Sequence, residues 1–556
     1  MGATIRRCCS AVVRFALLPA AFYLALFVVL TYPLVTQFST HFFADGADGL
    51  QNVWNIWWVG KAITGLRQSP WHTSYLHHPW GVSLLAHTLN PFNGLLGVVL
   101  LRFLTLVQAH NFIVVFSFVV GGLTACWLCY DVTRSYWGSL VGGFVFTFSS
   151  YHFAHAQGHL QLVSLEWIPL FVLCWYRLLM RPSVTMAVCS AFALCAVLLC
   201  DYYYFAYSLV VAVLMVLWQG ARSKRYLFFA RKPHVAPLAV FAAGTLATAG
   251  PLIGGLLALN ARETLLGAGD PAAFSLDLLA PIIPGGHWRF SHLTAGYWSR
   301  LTCNIHESSV HLGVSVLFLI AYSCVKRRRL GLESLSLWLA VWVTFMVMSL
   351  GPVLHVWGQP VPGLPLPYAL AQKIVPALEM SGRPIRMMVI VFLSASVISA
   401  AGMGHLLRGR VGAHCLAALL AVMLLVEYVP RPMPATSAAV PGFVEVLAAR
   451  PAVDGALIDG VTQDAPAMYH QTVHGKPKAF GYIARPLKRV LDQDRGIREA
   501  LIDQQYEALR DRYHFRYLVV DVEAPVRTEC PSAALLWTDG ELCLYDLAPG
   551  APVAGP

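Results

Sequence analysis

Between residues 15 and 429 the chain is a succession of apolar runs, many of which end in short turns that carry arginine and lysine. Runs of this kind match the roughly 30 Å of a bilayer's hydrocarbon core, inside which a backbone must satisfy its own hydrogen bonds as helix. With 57% hydrophobic and only 12% charged residues, a water-soluble core of ordinary size is excluded. The net charge of +11 would otherwise suggest nucleic acid, but the basic residues are dispersed over short turns, as membrane topology requires. The expected fold is therefore an all-α polytopic membrane protein.

The basic turns give an orientation. Arg6, Arg7 and Arg14 precede the first run, 15–35, with no acid among them, which places that end in the cytoplasm. Thr31, Tyr32 and Pro33 offer no small-residue cleavage site, so the run reads as an uncleaved anchor. Runs at 111–130, 137–151, 161–179, 184–200, 203–219 and 236–258 follow, with Arg134, Arg177, Arg181, Arg222, Lys224, Arg225, Arg231 and Lys232 at alternate ends. A return run closes on Lys326 to Arg329, and runs at 335–351, 387–405 and 412–429 complete about eleven spans. Residues 1–430 then form the membrane domain, with external loops 36–109 and 260–310. Residues 68–107, where Arg102 interrupts an apolar segment, read as interfacial or re-entrant, because another span there would invert every later basic turn. Residues 431–440 read as a linker. Residues 441–556, with strand-like runs GALIDG, RYLVVDV and LCLYDL and helical stretches at 442–449 and 495–512, read as a small C-terminal α/β extracytoplasmic domain. Most cysteines, such as Cys126 and Cys174, sit inside apolar runs as small hydrophobes; Cys530 and Cys543 could pair outside the cytoplasm.

Polar residues concentrate at the outer ends of the spans. Asp45 and Asp48 precede the aromatic stretch LQNVWNIWW, whose Leu50, Val53, Trp54, Trp57 and Trp58 recur at helical spacing and suit a helix lying along the outer interface. Asp48 with Gln51 three residues on is also a capping-box pattern, while Asp45 reads as a solvated loop acid. His152, His155 and His159 share a stripe that Glu166 joins if the helix is unbroken; the histidines suit hydrogen bonding or zinc, and an acid inside an apolar run is a functional candidate. Asp201 and Tyr202 lie where a span reaches the outer face. The external loop offers His287, Arg289, His306 and Glu307 among tryptophans, a mixture suited to sugar or headgroup recognition. Arg383 and Arg386 sit at an outer mouth, against the usual bias, where a guanidinium can grip phosphate by two parallel hydrogen bonds or snorkel to headgroups.

These strings, DGADGLQNVWNIWW, HFAHAQGHLQLVSLEWIPL, LEMSGRPIRM and MYHQTVHGKPKAFGYIAR, resemble the GT-C superfamily of membrane glycosyltransferases in its less characterised bacterial branch. The resemblance implies transfer of a sugar from a polyprenyl-phosphate donor to a glycan, lipid or protein acceptor on the outer face of the bacterial inner membrane. It also implies a catalytic acid in the first external loop, matching Asp48 best with Asp45 beside it, and these two would hold a divalent ion, magnesium or manganese, if one takes part. A carboxylate there can take the acceptor's proton while Arg383 or Arg386 stabilises the departing phosphate, which predicts inversion. The rival class, a membrane transporter or lipid flippase, is expected to show internal repeats and ionisable groups at mid-membrane, and neither pattern is evident. A non-catalytic envelope assembly protein that binds partners through its terminal domain is the third reading.

Overall fold

The computed structural model describes residues 10–223, 232–267, 269–374, 378, 382–451 and 454–548. Arg6, Arg7, Lys224, Arg225 and Arg231 of the topology reading lie outside the described residues. The chain is mostly helical. Among the described residues seven helices are long and apolar enough to cross a bilayer: Ser10–Thr31, Leu106–Thr133, Leu160–Met180, Tyr202–Ser223, Lys232–Arg262, Pro384–Leu406 and Val411–Tyr428. This is a multi-pass membrane protein. The other runs expected to cross form shorter helices, Tyr136–Thr147, Val184–Cys200, Val314–Val325 and Leu335–Ser349.

The chain divides into two compact units, and they interleave along the sequence. The first comprises Met1–Thr36, Phe112–Pro251 and Ala268–Met433. The helix Pro384–Leu406 is buried along almost its whole length. Small residues make this possible. A Cβ on Gly138 of the helix Tyr136–Thr147 would lie 2.3 Å from the Ala400 carbonyl oxygen, and one on Gly142 would lie 2.9 Å from that of Ser396. Without a hydrophobic force between helices in lipid, such close backbone approach is what holds a pair together.

The second unit comprises Gln37–Asn111, Leu252–Gly267 and Pro434–Pro556. Its strands β1 (Ala456–Asp459), β2 (Phe515–Asp521), β3 (Ala534–Thr538) and β4 (Leu542–Asp546) form one sheet in the order β1-β2-β4-β3. β1 and β2 are parallel and the other pairs antiparallel. The three strand-like runs of the sequence supply β1, β2 and β4, whereas the stretch 495–512 is divided between the helices Lys488–Ile502 and Tyr506–Asp511. Cys530 and Cys543 are buried free thiols.

The helix α1 (Asp48–Gly60) corrects one expectation. Its aromatic face does not lie on a bilayer surface: Trp54 and Trp58 are fully buried, packed with Leu76, Met468, Leu487 and Val490. Trp54 donates through Nε1 to Gln471 Oε1 at 2.7 Å, and Trp58 to the Pro70 carbonyl at 3.0 Å. An indole ring with its N–H satisfied gains more from a dry core than from the interface, and the terminal segment provides that core. The segment containing Arg102 follows the helix Pro91–Leu100, which packs on α1 where Gly94 and Gly97 meet Val59 and Ile56.

Candidate functional site

In the first unit, residues scattered over more than two hundred positions converge on one carboxylate. Glu307 lies in the helical turn Ile305–Ser308, whose start is capped by Asn304 Oδ1 accepting the Glu307 N–H at 2.9 Å. Only 1% of Glu307 is exposed. Arg386, 3% exposed, donates from Nε to Glu307 Oε1 at 2.9 Å and Oε2 at 3.2 Å, and from Nη2 to Oε1. Arg383 places Nε 3.6 Å from Oε1, keeps its side chain 30% exposed, and lays its guanidinium 5.0 Å over the Phe274 ring. The backbone before it is held by Gly382 at φ +63°, where a Cβ would fall 2.3 Å from the Gly269 carbonyl oxygen. Only glycine fits there.

A wall of imidazoles closes the other side. His155 Nε2 is 3.8 Å from Glu307 Oε2, and His155 Nδ1 is 3.1 Å from His159 Nδ1. His159 meets His306 edge to face, His306 stacks on His287 at 4.9 Å, and Gln157 Nε2 donates to His287 Nδ1 at 2.6 Å. Asp201, buried, accepts the N–H groups of Tyr203 and Tyr204 at 2.8 and 3.0 Å, and the Tyr203 ring lies 5.9 Å from the Arg386 guanidinium.

The electrostatics follow from burial and charge. Burial alone would raise the Glu307 pKa, but Arg386, then His155, outweigh it and hold the carboxyl far below its usual range. Burial pushes His287 down to about 3 and His155 well below its ordinary value, so both rings are neutral at pH 7. Burial raises Asp201 to about 6 against its backbone hydrogen bonds and Arg386. The site is an ionised acid clamped by arginine and bordered by neutral imidazoles. The unpartnered, buried Nε2 atoms of His155 and His287 are its unspent hydrogen-bonding capacity among the described residues.

Several expected members lie elsewhere. The histidine stripe is broken: one helix ends at His155 and the next begins at Leu160. His152 is held between the carbonyls of Thr147 (2.6 Å) and Val163 (2.9 Å), and Glu166 accepts from Ser117 at 2.7 Å, apart from the Glu307 cluster. Arg289 is exposed, and Tyr202 opens the helix that Asp201 precedes. The reading of Arg386 as a free phosphate fork is corrected, because Glu307 fills that fork. Gln157 was missed, although it sits in a run already singled out.

The second unit carries the two first-loop acids, and the capping reading of them is reversed. Asp45 Oδ1 accepts the N–H groups of Ala47 (3.0 Å) and Gly49 (2.9 Å), so Asp45 satisfies the start of α1. Asp48 is half-buried and is the first residue of α1, one place inside the N-cap position, which Ala47 holds. Gln51 turns instead to His87, with 2.6 Å between the amide nitrogen and Nε2. His87 Nε2 also lies 3.1 Å from Asn55 Oδ1, and the Asn55 amide donates to the Thr88 carbonyl. Asn52 donates to the Asp48 carbonyl at 2.9 Å. Burial takes His87 down to about 3, although Asp48 nearby favours its charged form. This network of amides beneath an acid was missed; its signal is three amide side chains within an apolar helix. Of the two carboxylates that would hold a divalent ion if one takes part, Asp45 has Oδ1 engaged by backbone donors, and among the described residues no three His, Cys, Asp or Glu side chains are grouped to hold a metal.

The fold is that of a polytopic membrane protein of GT-C-like architecture. The chain superposes on the arabinofuranosyltransferase AftD from mycobacteria with a TM-score of 0.55 at 13% identity, over 96% of this chain and 42% of that one. It thus spans less than half of AftD's length. The archaeal oligosaccharyltransferase AglB from Archaeoglobus fulgidus, in complex with an inhibitory peptide and a dolichol-phosphate, gives 0.45 at 11% identity over 97% and 75% of the two chains. ArnT from Cupriavidus metallidurans, bound to undecaprenyl phosphate, gives 0.42 at 11% over 96% and 99%. No curated protein matches the sequence. Residues 16–428 match the family described as a domain of unknown function, DUF6311, and the chain belongs to that family.

Proposed function

We propose that this protein is an integral-membrane glycosyltransferase that moves a sugar from a polyprenyl-phosphate donor to an acceptor at the outer face of the inner membrane, with inversion. The observation that carries the reading is the partly exposed Arg383 held against the buried Glu307–Arg386 pair at the start of an apolar helix. A cation in that position suits a lipid-borne phosphate entering from the bilayer. Arg383 binds the phosphate and stabilises the charge that develops as it leaves. Arg386 and Glu307 position Arg383, and the histidine N–H groups bind sugar hydroxyls. The first-loop acid Asp48 is the candidate for the base that takes the acceptor's proton.

The orientation is supported by chain parity. The segments 37–111, 252–267 and 434–556 pack into one unit and therefore share a face. Between the first two lie the apolar helices beginning at Leu106, Tyr136, Leu160, Val184, Tyr202 and Lys232; between the second and third lie those beginning at Val314, Leu335, Pro384 and Val411. Among the described residues both sets are even, as crossing helices must be to return the chain to the same face. With Ser10–Thr31 this makes about eleven crossings, and the basic turns put the shared face outside.

The test is transfer by the purified full-length protein in lipid nanodiscs. Polyprenyl-phosphate sugars serve as donors and cell-envelope glycolipids as acceptors, with the anomeric configuration of the product read by NMR. The expected result is transfer with inversion, lost in Asp48→Asn. If a deletion strain keeps every envelope glycan and glycolipid of its parent by mass spectrometry, the reading fails.

A further inference from the structure

The terminal part of the second unit contains a polar centre used by neither candidate site. β1 ends at Asp459, and a short turn leads into the helix α2 (Asp464–His474). After Gly475 the chain returns alongside β1, where Leu457 bridges Lys478 in parallel. This strand, helix and return strand bring together His470 and His474, one helical turn apart on the same face of α2, with Lys476 and Lys478.

Hydrogen-bond accounting separates the two lysines. Lys476 Nζ donates to Asp454 Oδ1 at 2.5 Å and to the Pro451 carbonyl at 2.6 Å, and is satisfied. Lys478 is 2% exposed, and its hydrogen bonds are made by its backbone, from its N–H to the Tyr75 carbonyl and to its carbonyl from the His78 N–H. Among the described residues its ammonium has no hydrogen bond and no carboxylate within ion-pair distance. Asp459 and Asp464 lie within electrostatic reach, but Asp459 Oδ1 is taken by the N–H groups of Val461 (3.1 Å) and Thr462 (2.9 Å), and Asp464 faces Arg498 at 3.9 Å. A buried charge is ordinarily paired, so an ammonium left in this state marks a place for a counter-ion.

The neighbouring rings point the same way. His474 Nδ1 accepts the Lys476 N–H at 3.1 Å, which puts the ring proton on Nε2. That Nε2–H is buried and without a partner among the described residues, as is His470 Nδ1. Burial lowers His474 to about 3 and His470 to about 4, so at pH 7 both rings are neutral, and burial lowers Lys478 as well. What remains unspent is an ammonium and a directional N–H, a set short of acceptors.

We propose that Lys478, His474 and His470 form a binding site for a compact oxyanion, a carboxylate or a phosphate monoester. Lys478 supplies charge, and His474 Nε2–H fixes direction. The inference is independent of the glycosyl-transfer reading, because these residues belong to neither candidate site.

The full-length protein in detergent is titrated at pH 7 and constant ionic strength with inorganic phosphate and, separately, with D-glucuronate, against chloride. Calorimetry and the thermal midpoint are followed. Saturable binding of one of the two is expected, and which one binds assigns the anion as phosphate or carboxylate. Lys478→Met should weaken binding at least tenfold without lowering the midpoint of the unliganded protein, since it removes a buried unpaired charge. His474→Phe should weaken binding while leaving the midpoint within a few degrees. Absence of binding by either anion, equal binding by the variants, or a strongly lowered midpoint in Lys478→Met would overturn the proposal; the last would make Lys478 a structural cation neutralised by Asp459 and Asp464.

Discussion

Replacing Glu307 by Gln tests the centre of the first unit most directly. Glu307 and Arg386 are 1% and 3% exposed and joined by three hydrogen bonds, so the substitution leaves a guanidinium in a site with little water to solvate it. Breaking a buried ion pair from one side costs about 3–5 kcal/mol. Gln keeps the shape and one acceptor oxygen, which favours the lower end, about 3 kcal/mol. The pH dependence carries a second signature. Glu307 has a depressed pKa in the folded state, so its contribution is complete above the unfolded value near 4.5 and is lost as pH falls towards the folded one. The difference between wild type and Glu307→Gln should therefore be constant from pH 7 to about 5 and narrow below about 4.5. Mixed-micelle equilibrium unfolding of Glu307→Gln, Arg386→Met and the double variant gives the coupling. The double variant should be less destabilised than the two single costs added together, by about 2 kcal/mol or more. Additive costs, or a single-variant cost under about 0.5 kcal/mol, would show that the pair is not the electrostatic centre the geometry describes.

Asp45→Ala should lower stability by about 1 kcal/mol through loss of the α1 cap, whereas Asp48→Asn should lower transfer by about a hundredfold at near wild-type stability; full activity in Asp48→Asn refutes its role as base. His87 takes up a proton near 6.5 when unfolded but near 3 when folded, so its contribution falls with pH between those values. His87→Gln should accordingly gain on wild type by roughly 1 kcal/mol per pH unit between pH 6 and 4, and parallel stability profiles would show that His87 already titrates normally. Arg383→Lys should weaken donor affinity by roughly 1–3 kcal/mol, and unchanged donor kinetics would assign Arg383 to membrane anchoring. Alkaline phosphatase fused after residue 440 should be active and after Arg329 inactive; the reverse would invert the topology and remove the outer-face mechanism.

What the sequence made legible is what depends on neighbours in sequence. Apolar length is a local property, and the runs beginning near residues 15, 111, 161, 203, 236, 387 and 412 are helices long enough to cross. Glu307, Arg386, His155 and His306 were each recognisable as polar groups out of place, but the pairing of Glu307 with Arg386 spans 79 positions and leaves no periodic trace. The same limit misassigned the tryptophans of α1, because the acceptor for Trp54 lies 417 residues away. The histidine stripe failed for a local reason that was readable: Gly158 falls between His155 and His159, and the helix is broken across it. The capping error was subtler. Asp48 at the head of α1 matches a known pattern, but an Asp three residues earlier, in a tight turn, can also reach backbone donors at the helix start, and Asp45 takes those of Ala47 and Gly49. That exchange of roles matters for mechanism. Asp45 Oδ1 accepts both the Ala47 and the Gly49 amides, so one of its carboxylate oxygens is engaged by the backbone of the turn. The proposed base, Asp48, is therefore tested against Asp45: transfer kept in Asp48→Asn and lost in Asp45→Asn would reverse the assignment.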